Sequence, residues 1–200
     1  MTHKAFFVVL DGGDGSGTST HSQLLTGFLK QQGFKVHLTH EPSKSEIGKI
    51  LREFLKNKEI PPTTDALLFA ADRDLHFHNE IKKKLDEGYI VISDRYIESS
   101  IVYQSTQSEK ISVKWVKELN KFVGKADLTI ILDIDPKTAL DRKNGEQLDK
   151  FEDLAFLESV RTLYLTRANE ENYTVISTDD IIEFVQEKIQ KIVIDRLTSL

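Results

Sequence analysis

The sequence predicts a three-layer α/β/α protein built on a five-stranded, mostly parallel sheet. Two observations carry that expectation. Five short apolar runs rich in β-branched and aromatic residues alternate with segments whose apolar residues recur at helical spacing. Runs such as Val8-Val9-Leu10 and Ile130-Ile131-Leu132 are also continuously apolar instead of alternating. A strand of that kind has both faces covered, and the helices that cross between parallel strands supply the cover.

Taken in order, the first strand is expected at residues 5–10, followed by a glycine-dense loop and a helical run at 21–32. Gly33 stands where a left-handed helix cap is wanted, ahead of a second strand at 35–39. Pro61-Pro62 is expected to close one helix and Thr63 or Thr64 to cap the next, whose apolar positions are Leu67, Leu68, Ala71, Leu75, Ile81 and Leu85. Gly88 precedes a third strand at 89–93, and Gly124 follows a further helix; both are read as left-handed caps. A fourth strand is expected at 128–133 and a fifth at 173–177, separated by a polar, charged stretch at 143–153 that reads as a surface loop. The last helix carries Ile181, Ile182, Val185, Ile189, Ile192 and Val193 on one face and Glu183, Glu187, Lys188 and Lys191 on the other, a pattern of core or dimer packing.

At 200 residues, 39% hydrophobic and 30% charged, the chain has the size and composition of one domain, 1–200. No apolar run approaches the roughly 20 residues that cross a bilayer, and the run at 5–10 is too short for an export signal, so a cytoplasmic protein away from the membrane is expected. The absence of cysteine excludes disulfides, thiolate zinc sites, iron–sulfur clusters and cysteine nucleophiles. A formal charge of −5 argues against a nucleic-acid surface and leaves room for a local pocket binding one small phosphate ligand. His76 and His78, two apart on a helix, point to different faces and do not form a ligand pair.

The chemistry-bearing signal follows the first strand: Asp11-Gly12-Gly13-Asp14-Gly15-Ser16-Gly17-Thr18-Ser19-Thr20. Glycines this dense between a strand and a helix leave backbone N–H groups free to converge on an anion. The spacing from Gly12 through Gly17 to Ser19 is that of G-x-x-x-x-G-K-[ST], with Thr18 where the lysine belongs. A short neutral hydroxyl cannot bridge terminal phosphates, so transfer is expected to be slowed by about 100- to 1000-fold unless another cation takes the place. Ser19 keeps the hydroxyl that such loops place on Mg²⁺. Asp14, repelled by phosphates, should point to a hydroxyl of a second substrate. His40-Glu41-Pro42 and Ser93-Asp94-Arg95-Tyr96 fall at carboxyl ends of strands, where ligands collect in open α/β sheets. Phe69 and Arg73 are four apart on one helix face, a ring and a guanidinium suited to a nucleobase with a carbonyl edge.

Taken together, the D-G-x-D-G-S-G loop, Glu41-Pro42, the Leu68-to-Arg73 helix, Ile92-Ser93-Asp94-Arg95-Tyr96 with Tyr103-Gln104 downstream, and the stretch opening at Asp127-Leu128 closely resemble the thymidylate kinase family over nearly the whole chain. The resemblance implies a fold of the P-loop NTPase type, ATP and dTMP as substrates, Mg²⁺ as cofactor, and a homodimer. It implies that Gly12, Gly13, Asp14, Gly15, Ser16, Gly17, Thr18, Ser19 and Thr20 bind ATP, with Arg142 flanking the adenine. Ser19 and Asp94 are then the metal ligands. The dTMP pocket is implied at Asp14, Glu41, Pro42, Phe69, Arg73, Arg95, Ser100, Tyr103 and Gln104. In it Asp14 holds the 3′-hydroxyl, Phe69 stacks on thymine, Tyr103 excludes a 2′-hydroxyl and Arg95 takes the acceptor phosphate. A lid is implied at about 143–153, with Lys143 or Lys150 as its catalytic cation.

Two departures accompany the resemblance. The phosphate loop carries no arginine, and the Glu-Pro pair lacks a neighbouring one, leaving Lys44 or Arg52 to meet the acceptor phosphate. Besides a dTMP kinase, the residues leave open a nucleotide-binding homologue with weakened or lost transfer, and a kinase for another deoxynucleotide.

Overall fold

The structure, a computed structural model, describes residues 5–57, 59–142 and 153–199. Strands β1 (Phe6–Gly12), β2 (Val36–His40), β3 (Ile90–Asp94), β4 (Leu128–Asp133) and β5 (Thr174–Ser177) form one sheet in the order β2-β3-β1-β4-β5. Every pairing is parallel, with Phe6 opposite Ile90 and Val8 opposite Leu128. Each strand falls within two residues of its expected position at either end.

The continuous hydrophobicity of the strands has a direct cause in the layers. On one face Phe6, Val8, Leu10, Ile90, Ile92 and Ile130 pack against Leu25 and Leu29 of α1 (Thr18–Gln31) and Val185, Ile189 and Val193 of α9 (Ile182–Thr198). On the other, Ile131 meets Val102 and Tyr103 of α5 (Ile97–Gln107) and Val160 and Tyr164 of α8 (Leu154–Glu171), while Phe7, Val9 and Val91 meet Ile81 and Tyr96. Side chains alternate between faces along a strand, so both registers must be apolar. The remaining helices are α2 (Glu46–Phe54), α3 (Pro62–His76), α4 (Lys82–Asp86), α6 (Val113–Leu119) and α7 (Pro136–Arg142).

Three local expectations are corrected. Pro61 and Pro62 do not close a helix: α2 has already ended at Phe54, and the two prolines stand at the cap and first turn of α3, where a missing N–H costs nothing. Thr63 and Thr64 consequently lie inside α3. Gly33 and Gly88 are left-handed caps, with φ of 86° and 78°, but Gly124 is not. A Cβ on Gly124 would lie 2.5 Å from the Phe77 ring, so close packing excludes a side chain there. The Leu67-to-Leu85 stripe is helical but is not one core face. Leu67 and Leu75 are exposed, the buried side of α3 carries Asp65, Asp72, Arg73 and His76, and a π turn at Phe77–Ile81 joins α3 to α4. The expected lid at 143–153 lies outside the described residues except for Asp153, whose carboxylate caps α8 by accepting the Phe156 N–H at 3.1 Å.

Candidate active site

The site forms at the carboxyl ends of β1, β2 and β3, where the phosphate loop leaves β1 and turns into α1. Two glycines there are sterically required. A Cβ on Gly12 would lie 2.4 Å from the Leu132 carbonyl oxygen, and one on Gly15, at φ 79°, would lie 2.9 Å from that of Ala139. Gly17 caps α1 at φ 87° with no side-chain cap, which leaves the N–H groups of the first turn facing the loop. Thr18 is buried, and Ser16 N–H donates to the Gly13 carbonyl at 3.1 Å. Ser19 and Thr20 are exposed at the start of α1.

The Ser19 hydroxyl donates to Asp94 Oδ2, and Asp94 Oδ1 is buried with no hydrogen-bond partner among the described residues. A hydroxyl in contact with a carboxylate whose second oxygen has no partner among the described residues is the donor chemistry of a hard divalent cation.

Beneath the loop, Asp11 is fully buried and accepts five hydrogen bonds: from the N–H groups of Gly12 (2.9 Å), Tyr96 (3.0 Å) and Ser99 (3.1 Å), and from the hydroxyls of Ser99 (2.6 Å) and Tyr164 (2.8 Å). Burial pushes its carboxyl above the usual range, against the opposing pull of Arg95 and of these donors. Asp11→Asn is expected to destabilise the protein by about 3 kcal/mol, because an NH₂ at either oxygen faces at least two donors. In a chain of this length that lowers Tm by roughly 10 °C, measurable by thermal unfolding.

Arg95 follows β3 with φ 70°, which turns its side chain back over the loop. Its guanidinium donates to the Gly12 carbonyl and the Ser99 hydroxyl, each at 3.0 Å, and to Asp14 Oδ1 at 2.6 Å, and it lies 5.6 Å from the centre of the Tyr103 ring. The charges and hydroxyls around it hold its pKa well above the ordinary arginine value despite burial, so it stays cationic. Tyr103 Oη accepts the Asp14 N–H at 2.9 Å, and burial keeps this phenol neutral.

Nine of the ten residues expected to hold the acceptor nucleotide line one cavity of about 200 Å³: Asp14, Glu41, Pro42, Phe69, Arg73, Arg95, Ser100, Tyr103 and Gln104. Arg73 donates from Nε to Glu41 Oε2 at 2.7 Å and from Nη2 to the Ser100 hydroxyl at 2.9 Å. Glu41 Oε1 in turn meets His76 Nδ1 at 3.0 Å. Gln104 Oε1 is buried with no hydrogen-bond partner among the described residues.

Arg52 is the exception. Its Nη2 donates to the carbonyls of Pro42 (2.8 Å) and Ser43 (2.6 Å), so it braces the loop behind the cavity, while Lys44 is exposed. Arg142 lies on the other side of the phosphate loop, donating to the Gly15 carbonyl at 3.4 Å and the Thr178 carbonyl at 2.7 Å. Lys143 and Lys150 lie outside the described residues.

Sequence reasoning did not single out Asp11, Ser99, Tyr164, Asp72 or Asn120. Asp72 accepts the Ser43 N–H and hydroxyl, both at 2.6 Å, and the Ser45 hydroxyl at 2.5 Å, pinning the Glu41-to-Ser45 turn. A carboxylate ending an apolar strand was the one available signal, for Asp11; the other partners are joined only by the fold.

Comparison with known proteins agrees with this geometry. The thymidylate kinase family profile matches residues 10–189. A protein of Pyrobaculum aerophilum named "Probable thymidylate kinase" is 46% identical over 193 residues, covering 94% of this chain and 97% of its own. Proteins of the same name from Caldivirga maquilingensis and Methanosphaera stadtmanae are 42% and 41% identical, over 95% and 96% of this chain and 94% and 98% of theirs. With a matching profile across most of its length and a phosphate loop opening beside a nucleotide-sized cavity, the chain belongs to the thymidylate kinase family.

Proposed function

We propose that this protein transfers the γ-phosphoryl group of ATP to dTMP, giving dTDP and ADP. The observation that carries the reading is one cavity that joins a base-sized end, Phe69 with Arg73 and Ser100, to a phosphate end at Arg95, next to the phosphate loop. The names of the relatives support the same reaction. An oxygen of the dTMP phosphate attacks the γ-phosphorus in line, and the bond from that phosphorus to the β–γ bridging oxygen breaks. This chemistry needs positioning and charge stabilisation more than a general base.

Each residue then has a task. Phe69 offers a face to the thymine ring and Arg73 an N–H to its carbonyl edge. Asp14 accepts the 3′-hydroxyl, and the buried Tyr103 ring leaves no room for a ribose 2′-hydroxyl. Arg95 draws the acceptor and donor phosphates together. The N–H groups of the phosphate loop and of the first turn of α1 cradle the donor, and Arg142 flanks its adenine. Ser19 Oγ and Asp94 Oδ1 are the atoms that would hold Mg²⁺, which when bound spreads the negative charge of the phosphate oxygens. The same reading includes a lid at about 143–153, a cytoplasmic location and a homodimer.

The test is ADP formation by purified protein with ATP, Mg²⁺ and dTMP, against blanks lacking dTMP. Turnover that depends on dTMP is expected, and Ser19→Ala should lower it by about 100-fold through loss of the hydroxyl at the cation. Saturable dTMP binding with no turnover would instead identify a nucleotide-binding homologue that has lost transfer, a reading favoured by the neutral Thr18.

A further inference from the structure

Arg73 is 1% exposed, and its guanidinium carries five N–H groups. Nε donates to Glu41 Oε2 at 2.7 Å. The two on Nη2 are taken by the Tyr96 carbonyl at 3.0 Å and the Ser100 hydroxyl at 2.9 Å, with Glu41 Oε2 also close. One on Nη1 goes to Asn120 Oδ1 at 2.7 Å. Only the second N–H of Nη1 has no acceptor among the described residues.

Asn120 itself does not line the cavity. It is buried at the carboxyl end of α6, and its Nδ2 donates to the Val116 carbonyl at 2.8 Å. That second bond settles which end of the amide faces Arg73, since only the oxygen can accept from a guanidinium. The guanidinium is planar with its hydrogens at fixed angles, so the bond to Asn120 completes, at the Nη1 end, the clamp that the bonds at Nε and Nη2 begin, and together they fix where the remaining Nη1 hydrogen points. The opposite corner is clamped as well, because Glu41 is held by His76.

We propose that Asn120 is a positioning residue that sets the base selectivity of the site by fixing the direction in which Arg73 offers its last N–H. The inference rests on the reading of the cavity as a thymine pocket. A 4-carbonyl on a pyrimidine accepts that N–H. A 4-amino group in the same place sets donor against donor, and the conflict persists only while the guanidinium cannot swing aside. Asn120 removes that freedom from outside the pocket, without touching substrate.

The experiment is steady-state kinetics of wild type, Asn120→Ala and Asn120→Asp with dTMP, dUMP and dCMP as acceptors. Wild type is expected to prefer the two 4-carbonyl nucleotides. Asn120→Ala should raise KM for dTMP and dUMP by about tenfold, narrow their kcat/KM advantage over dCMP by at least that factor, and leave kcat for dTMP within about twofold. Asn120→Asp keeps an acceptor toward Arg73 while losing the bond to the Val116 carbonyl, and should recover part of the advantage. Should Asn120→Ala unfold below the assay temperature, Asn120→Ser, too short to reach Arg73, is read in the same way.

An unchanged preference in the truncated variant, or equal loss in the alanine and aspartate variants, overturns the proposal. So does a fall in kcat shared by all three nucleotides, which would mark a purely structural role. A wild type that does not distinguish dUMP from dCMP overturns the thymine-pocket reading itself, and the role of Asn120 with it.

Discussion

Replacing Arg95 with methionine is expected to lower dTMP-dependent ADP formation by about 1000-fold. No other described residue joins the two halves of the site in the same way: one guanidinium reaches the phosphate-loop carbonyl of Gly12, the Asp14 carboxylate and the Ser99 hydroxyl. Its aim comes from the backbone. At φ 70° a side chain with a Cβ is held in a conformation that costs on the order of 1 kcal/mol, and bonds on both sides of the kink sustain it. Arg95 N–H donates to the Leu10 carbonyl at 2.9 Å, and the Ser93 hydroxyl donates to the Arg95 carbonyl at 2.7 Å. Arg95→Lys keeps the charge but not the fork, so it should restore only part of the rate. The check is kcat and KM for both substrates alongside thermal unfolding, since a folded methionine variant with near wild-type kcat would remove Arg95 from the chemistry.

Thr18→Lys should act in the opposite direction and raise turnover at least about tenfold by returning a cation to the terminal phosphates. Thr18 is the first residue of α1 and is buried beside the loop, with a neutral hydroxyl where the reaction builds negative charge. Of the described cations near the loop, Arg95 is engaged with Asp14, and Arg142 is turned to the carbonyls of Gly15 and Thr178. Single-turnover rates at saturating ATP and dTMP measure the gain. An unchanged or lower rate would mean that another cation already meets those phosphates.

The central strands β1, β3 and β4 were readable in the sequence because they are covered on both faces, which leaves a nearly unbroken apolar signature that surface chemistry does not dilute. The phosphate loop was readable because its geometry demands glycine, as the close approaches at Gly12 and Gly15 show. Helix α3 was harder. Its periodicity marked a helix, yet the side facing the protein holds Asp72, Arg73 and His76, since that side builds the cavity and not the core. Apolar spacing therefore marks the helix without saying which side faces the protein. Pairings such as Asp11 with Tyr164, or Arg73 with Asn120, connect residues far apart in the chain that carry no local mark of each other. Arg52 illustrates the same limit from the other side. Its Nη2 meets the carbonyls of Pro42 and Ser43, a contact that nothing in the local sequence around Arg52 marks.

The strand order has a consequence for how the protein is made. Of the five strands of this sheet β1 is synthesised first, yet it is the middle one, and Val8 takes its place opposite Leu128, about 120 residues later. At roughly 5–20 residues per second, a ribosome needs on the order of ten seconds to supply that neighbour. Until β3 emerges Phe6 to Leu10 is an apolar segment with both edges unpaired, and until β4 emerges one edge stays open, the kind of surface that chaperones shield and that associates with other nascent chains. The central strand that gives the finished enzyme its rigid platform is thus also the segment of the newborn chain most in need of protection.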